Sequence, residues 1–400
     1  MKKIKPSNKS VNHSTSTEDS PPPSSITWGG EILSPPIRSH PNIDTLHFGL
    51  FVSWSSDRLL LQLETLKDQA RENDFNPVPL QIPGTNMEFV VSPYGKKGGY
   101  AFSIISADVV LFFSRHDPGG NTPNVFVEIG SVSCWSSGIN SVVKNIYRLI
   151  EFFGGRVIKE NLNRIDMAVD FVGLDIKTLP LDDVHLWIKK AQKTNIYFEG
   201  LEFSGVVFGS GGDLSLRTYD KTREISTNPV KQAIFAEVWG LSSYDEQPTT
   251  RVEFQLRKEI LKDFKIKTFN QLKGKMASLW RYCTEEWSRL ASAPVDRNNT
   301  EKSSLHPWWE IVQAIKWPGV RYIKRSKEIA RKALDGLVKQ AAGLALSAGA
   351  ILFRQSDDID GIIYAFQGML EGELRKQFVS DNAKFVSKYL SRRAECWCSV

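Results

Sequence analysis

Three short segments carry residues whose types and spacing point to chemistry. Side chains in a strand alternate faces. In "NRIDMAVDF" (163–171), Arg164, Asp166, Ala168 and Asp170 therefore share one side, opposed by Ile165, Met167, Val169 and Phe171. In "DLSLRTYDK" (213–221), Ser215, Arg217, Tyr219 and Lys221 oppose Leu214, Leu216 and Thr218. In "TTRVEFQLRK" (249–258), Arg251, Glu253, Gln255 and Arg257 oppose Val252, Phe254 and Leu256. Each alone is an ordinary amphipathic strand with a solvated polar face. Their combination is more specific. Two aspartates flanking the small Ala168 leave room for a hard divalent cation held through oxygens. A tyrosine flanked by Arg217 and Lys221 suits a phosphate, because the cations neutralise the anion while the phenol attacks it.

A phenol titrates near pH 10 in model peptides, so at neutral pH it needs a metal, a base or positive potential to react as phenolate. Attack on a phosphodiester gives a phosphotyrosine ester, and return attack by a 3′-hydroxyl is nearly isoenergetic. Chemistry of this kind cuts and rejoins a strand without ATP.

The succession "NRIDMAVDF", "FGSGGDLSLRTYDKTRE" and "TTRVEFQLRKEIL" resembles the trans-acting rolling-circle replication initiators of plasmids and filamentous phages, the Rep_trans type. That pattern is an R-x-D-x-A-x-D-F strand, a glycine-started strand ending in R-x-Y-x-K-x-x-E, and an R-x-E strand. The upstream "IDTLHF" and "NVFVEIG" are similar to the family's early strands, and the resemblance spans about residues 42–264. It implies that Tyr219 is the DNA-attacking nucleophile, with Arg217, Lys221 and Glu224 completing its motif. It also implies Mg²⁺ or Mn²⁺ held by carboxylates, for which Asp166, Asp170 and Glu253 are the candidates. Arg251 either holds the scissile phosphate or pairs with Glu253, and Arg164 has the same two roles open. Arg257 is a further candidate DNA contact. The implied partners are DNA (an origin hairpin and the single strand at the nick), a host helicase and a second copy of the chain. The implied setting is the cytoplasm, with no membrane. Two alternatives stay open: a non-catalytic DNA-binding regulator of a mobile element, and a transfer relaxase with the same chemistry.

The elements that must position these residues read as α+β: a largely antiparallel curved sheet with helices on one face, followed by an all-helical C-terminal domain. Strand patterns cover 45–54, 87–94, 100–107, 109–115, 124–133, 163–173, 201–209, 213–221, 235–240 and 249–258. Helical periodicity covers 139–155, ending on Gly154 and Gly155, and 181–194, which opens on acidic residues. Residues 1–40, with "SPPPSS", have the composition of a disordered tail. The domains expected are the tail, a catalytic domain over 41–265, and a basic helical domain over 266–400 for DNA binding or oligomerisation.

Charge follows that division. The net +6 of the 400 residues averages a half carrying 24 Lys and Arg against 28 Asp and Glu (residues 1–250) with one carrying 27 against 17 (251–400). In the basic half, "RYIKRSKEIARK" (321–332) supplies Lys324, Arg325, Lys327, Arg331 and Lys332 as candidate phosphate contacts. Trp308, Trp309 and Trp317 fit a helix-packing core better than base stacking. The four cysteines are too few and too scattered for a disulfide frame. The apolar run 341–353 falls short of the roughly 20 residues a spanning helix needs. "FGSGGD" lacks the Lys-Ser/Thr of a nucleotide-binding loop and reads as a tight turn. None of the six histidines forms a His-hydrophobe-His pair, and His47 reads as a partly buried side chain.

Overall fold

The computed structural model describes residues 26–28, 31–33, 36–82, 88–118, 122–296, 299–320, 341–347, 359–380, 382 and 385–386. Its centre is an eleven-stranded antiparallel sheet. In chain order the strands are β1 (Arg38–Trp54), β2 (Val78–Leu80), β3 (Phe89–Val91), β4 (Tyr100–Ser106), β5 (Val109–Ser114), β6 (Val125–Ile129), β7 (Gly155–Val172), β8 (Thr194–Glu199), β9 (Glu202–Phe208), β10 (Leu214–Asp220) and β11 (Thr249–Arg257). They lie in the order β8-β9-β10-β11-β7-β1-β6-β5-β4-β3-β2. The three motif strands are therefore neighbours, β10 beside β11 beside β7. The fold is α+β with a large antiparallel sheet and helical segments toward the C-terminus, as the patterning predicts.

The apolar sides of these strands make the core. Val252, Phe254, Leu256, Leu216 and Phe208 are all buried. Against them packs the segment after residue 267: Phe254 meets Trp280 at 5.4 Å, Phe171 meets Trp308 at 6.1 Å, and Trp187 bridges Phe208 and Trp309 at 4.8 and 5.1 Å between ring centroids. Trp308, Trp309 and Trp317 are thus core residues. Rings in these edge-on arrangements contribute beyond the area they bury.

Among the described residues, one compact unit holds the chain through Lys258 together with Lys267 to Val320, and a second holds Glu259–Ile266 with the later helical residues, including Ile359–Ser380. The segment 267–320 goes with the sheet because its tryptophans are what bury the sheet's apolar face. No helix of the described residues is long and apolar enough to cross a membrane.

Several elements differ from the sequence reading. β1 starts at Arg38, inside the stretch expected as a tail, where it pairs with Val172 of β7. Residues 26–28 pair with 31–33, and the rest of the expected tail before residue 36 lies outside the described residues. The expected strand 235–240 is the last part of a helix. Asn228 caps it by accepting from the Lys231 amide at 3.0 Å, Pro229 takes the first turn, and Gly240 ends it at φ 66°. A six-residue window showed only that helix's end. The expected helix 181–194 is instead a single turn at Val184–Leu186, closed by the Asp183 side chain on the His185 amide, and a short strand, Trp187–Lys189, paired with Ser288–Leu290. Burial of Trp187 decides that outcome over local propensity. The helix Arg58–Glu72, which turns Leu59, Leu63 and Ala70 inward, has no counterpart in the sequence reading. The glycine-rich 208–213 is the tight turn predicted: Gly209 has φ 75°, and a Cβ there would sit 2.6 Å from the Leu214 carbonyl oxygen.

Candidate active site

Register places the polar residues of the motif strands in rows across the sheet. Tyr219 lies opposite Arg251, which lies opposite Asp170; Arg217 lies opposite Glu253, which lies opposite Ala168; Ser215, Gln255 and Asp166 form a third row. Paired residues in adjacent strands project to the same side, so one face of β10, β11 and β7 carries all of them.

At the centre, the Tyr219 hydroxyl donates to Glu253 Oε2 at 3.0 Å. Arg217 grips the other oxygen of that carboxylate, Nη1 to Oε1 at 3.0 Å, and donates through Nη2 to Gln255 at 3.2 Å. Glu253 is only 2% exposed. Burial, reinforced by the negative charges of Asp44 and Asp166 and only partly offset by Arg217 and Arg251, holds its carboxyl up at about 7. Burial and the same Glu253 push the Tyr219 phenol well above its ordinary value. At neutral pH the phenol therefore keeps its proton, and the acceptor it is bonded to is a carboxylate poised near 7. A carboxylate able to accept a proton thus lies within hydrogen-bond reach of the phenol.

Lys221 sits differently from the sequence reading. Asp220 ends β10 by accepting from the Arg223 amide at 3.0 Å, so Lys221 opens the short helix Lys221–Ile225 rather than continuing the strand. Its ammonium is buried, 5.9 Å from the Tyr219 ring centroid and 4.6 Å from that of Phe235, and is paired with Glu224. Burial and the nearby Arg251 lower its pKa. Glu224 also binds Lys231 at 2.8 Å, so its role is to clamp Lys221 beneath the tyrosine.

Arg251 takes neither of its two expected roles. It is wholly buried and forks onto Asp170, Nε to Oδ1 at 2.5 Å and Nη2 to Oδ2 at 2.7 Å, while Nη1 reaches Asp44 at 2.6 Å. The rings of Trp135 and Phe235 lie 4.8 and 5.1 Å from its guanidinium carbon. Trp239 donates to Asp170 at 2.9 Å and Trp135 to Asp44 at 2.9 Å. This closed set is a structural keystone with no oxygen of Asp170 left over.

Asp44, Trp135 and Trp239 were absent from the sequence reading. Asp44 reaches this face through a register shift: Ile43 pairs with Met167 and Thr45 with Asp166, leaving Asp44 as the extra residue of a bulge. Its signal is a lone carboxylate in the apolar "IDTLHF". Burial raises its pKa, but Arg251 and Lys221 outweigh that and hold it low.

The metal ligands expected, Asp166, Asp170 and Glu253, do not converge. No group of three or more His, Cys, Asp or Glu side chains among the described residues is placed to hold a metal ion. Asp170 does not fit, because Arg251 occupies both its oxygens. Asp166 and Glu253 have both oxygens engaged too, by Arg164 and by Arg217 with Tyr219, but those arginines are partly exposed where Arg251 is sealed in; Asp166, the one not bonded to the phenol, fits the single-carboxylate mode in which Mg²⁺ binds beside a substrate phosphate. Asp166 is paired with the partly exposed Arg164, Nε to Oδ1 at 2.8 Å, and burial raises its pKa. Arg257 is exposed at the end of β11, in register with Arg164. Lys324, Arg325, Lys327, Arg331 and Lys332 lie outside the described residues. Glu128 pairs with Lys96 and lies 3.9 Å from the partly buried His47, whose pKa burial lowers to about 4.

No protein-family model and no curated protein matches the sequence. The chain is similar to the solved structure of a rolling circle replication initiator protein from Geobacillus stearothermophilus, with 16% identity and a TM-score of 0.39, over 72% of this chain and 100% of that one.

Proposed function

We propose that the protein initiates rolling-circle DNA replication by nicking and rejoining one strand at an origin through a phosphotyrosine intermediate on Tyr219. The observation that carries this reading is the 3.0 Å hydrogen bond from the Tyr219 hydroxyl to a buried carboxylate held at about 7, with Arg217 on that carboxylate and Lys221 under the ring. In the reaction the Tyr219 proton passes to Glu253 as the phenol oxygen bonds to phosphorus, and the bond to the 3′ oxygen of the preceding nucleotide breaks, that oxygen taking a proton from water to leave as a hydroxyl. The protein stays joined to the 5′ phosphate, and the reverse attack restores the strand and the proton. Arg217 and Lys221 stabilise negative charge gathering on the phosphorus oxygens. A Mg²⁺ or Mn²⁺ ion held by Asp166, with Glu253 left to act as the base, would supply Lewis-acid polarisation of the phosphate when bound. Arg257 and Arg164 carry the adjoining backbone phosphates, and the basic C-terminal half adds sequence-independent grip.

The test is incubation of the full-length protein with supercoiled plasmid and Mn²⁺, with and without EDTA. Open circles carrying a denaturation-resistant protein adduct, absent with chelator, support the reading. Binding without cleavage under every condition identifies a regulator instead.

The Glu253 carboxyl makes two pH predictions. As the base, it must be ionised, so nicking at sub-saturating DNA falls about tenfold per pH unit below about 7 and levels off above it. Stability runs the opposite way. Below about 4.5 the carboxyl is protonated folded or unfolded; between there and about 7 the folded state binds more protons, so stability falls as pH rises. The loss above about pH 7 is about 3 kcal/mol. Urea unfolding of Glu253→Gln should show it more stable than the parent at about pH 8 and equal to it at about pH 4, with nicking lost at both. Equal stability at both pH values contradicts the raised carboxyl.

A further inference from the structure

The row through Tyr219 continues toward the sheet edge: Tyr219 of β10 lies opposite Gly205 of β9, which lies opposite Tyr197 of the edge strand β8. Same-row residues share a face, so Tyr197 stands on the side that carries Tyr219, two strands or about 10 Å away. Between them the sheet has no side chain at all. A Cβ at Gly205 would lie 2.9 Å from both the Tyr219 Cβ and the Thr218 carbonyl oxygen, so the residue there must be glycine and the floor beside the nucleophile stays open.

Tyr197 is 49% exposed, and among the described residues no hydrogen bond or ring partner holds it. Its neighbours on the β8–β9 hairpin are also uncovered: Ile196 at 37%, Phe198 at 54% and Leu201, in the turn, at 99%. A bulge between Tyr197 and Phe198 twists this edge, and the Phe198 ring is propped edge-on by Phe203 at 6.0 Å. Uncovered aromatic rings beside an open floor mark a contact surface. One row over, Asn195 lies across Val207 from Arg217, whose side chain is 36% exposed, so cationic charge borders the same strip.

We infer that the β8–β9 hairpin is a stacking platform for single-stranded nucleic acid, on which the Tyr197 ring holds an unpaired base while the backbone crosses Gly205 to present its phosphate to Tyr219. This rests on the nicking reading for the identity of the phosphate, and it adds the element that receives the base. An unpaired base fits the strip because every base offers a π face to a ring, whereas a duplex keeps its faces stacked inward. The strip's continuity with Tyr219, and the cation at its border, favour a polyanion over a second copy of the chain.

The test is fluorescence anisotropy of a labelled oligothymidylate with the full-length protein. Tyr197→Ala should bind roughly 5- to 150-fold more weakly, and Tyr197→Phe, which keeps the ring, should bind as the parent does. Duplex of the same length should be indifferent to both changes. Unchanged affinity for the oligonucleotide in Tyr197→Ala overturns the inference, as does a change from dimer to monomer in that variant on a sizing column, which assigns the strip to a second copy. Tyr219→Phe should bind the oligonucleotide as the parent does while forming no adduct. If the parent itself forms no adduct but its binding depends on Tyr197, the nicking reading fails and the platform stands.

Discussion

Tyr219→Phe is expected to lose nicking of supercoiled DNA by about a thousandfold or more, and to form no covalent protein–DNA adduct. The substitution removes one oxygen and leaves the ring that packs above Lys221. The other hydroxyls of this face among the described residues stand away from that position: Ser215 lies four residues back in β10 and is buried opposite Gln255, and Tyr197 is two strands off. The loss should fall on the chemical step, with DNA affinity kept, because Arg217, Arg257 and the basic half are untouched. Far-ultraviolet circular dichroism and oligonucleotide binding check that the variant is folded. Cleavage at the parental rate would mean that another group attacks phosphorus.

The second large effect concerns stability. Arg251→Met is expected to destabilise the protein by about 3–5 kcal/mol, the usual consequence of removing one partner from a buried ion pair. Asp170 and Asp44 would be left facing each other under Trp135 and Trp239, without their shared cation. For a protein whose total stability is of the order of 5–15 kcal/mol, that is about a fifth or more of it. Arg251→Lys should rescue only part of the loss, because an ammonium cannot fork onto both oxygens of Asp170 while reaching Asp44. Adding Asp170→Leu to Arg251→Met should recover part of the stability lost in Arg251→Met alone, since one of the two orphaned charges is removed. Urea denaturation of the three variants reads these differences directly. A single-variant loss within about 0.5 kcal/mol would mean the cluster is open to solvent.

The shared polar face of the three strands was legible in sequence because it depends on period-two alternation, which the chain obeys without interruption from Arg164 to Asp170 and from Arg251 to Arg257. Three neighbouring strands with matching polar sides could be read one at a time. What escaped depends on interruptions of that alternation or on distant partners. Asp44 enters through a bulge, which reverses the parity on which the reading relied. Alternation alone puts Lys221 on the strand, because the Asp220 cap, a side-chain event, decides where the strand stops. Asp170 looked like a metal ligand because nothing local shows that Arg251, some eighty residues on, takes both its oxygens in a pocket closed by Trp239. The helix Pro229–Trp239 is hidden for a related reason: its Asn228 cap lies outside the apolar window 235–240, whose pattern alone suggests a strand. Burial of Arg251 is thus a property of four separate elements meeting, and only the folded chain displays it.

The nucleophile itself is the central claim, and mass spectrometry of the trapped intermediate tests it most directly. The protein is allowed to cut a single-stranded oligonucleotide in Mn²⁺, digested with nuclease and protease, and the modified peptide sequenced. A nucleotide-phosphate adduct on Tyr219, in the peptide that contains "TYDK", is the predicted result; an adduct on any other residue, or cleavage with no protein-linked phosphate at all, contradicts it.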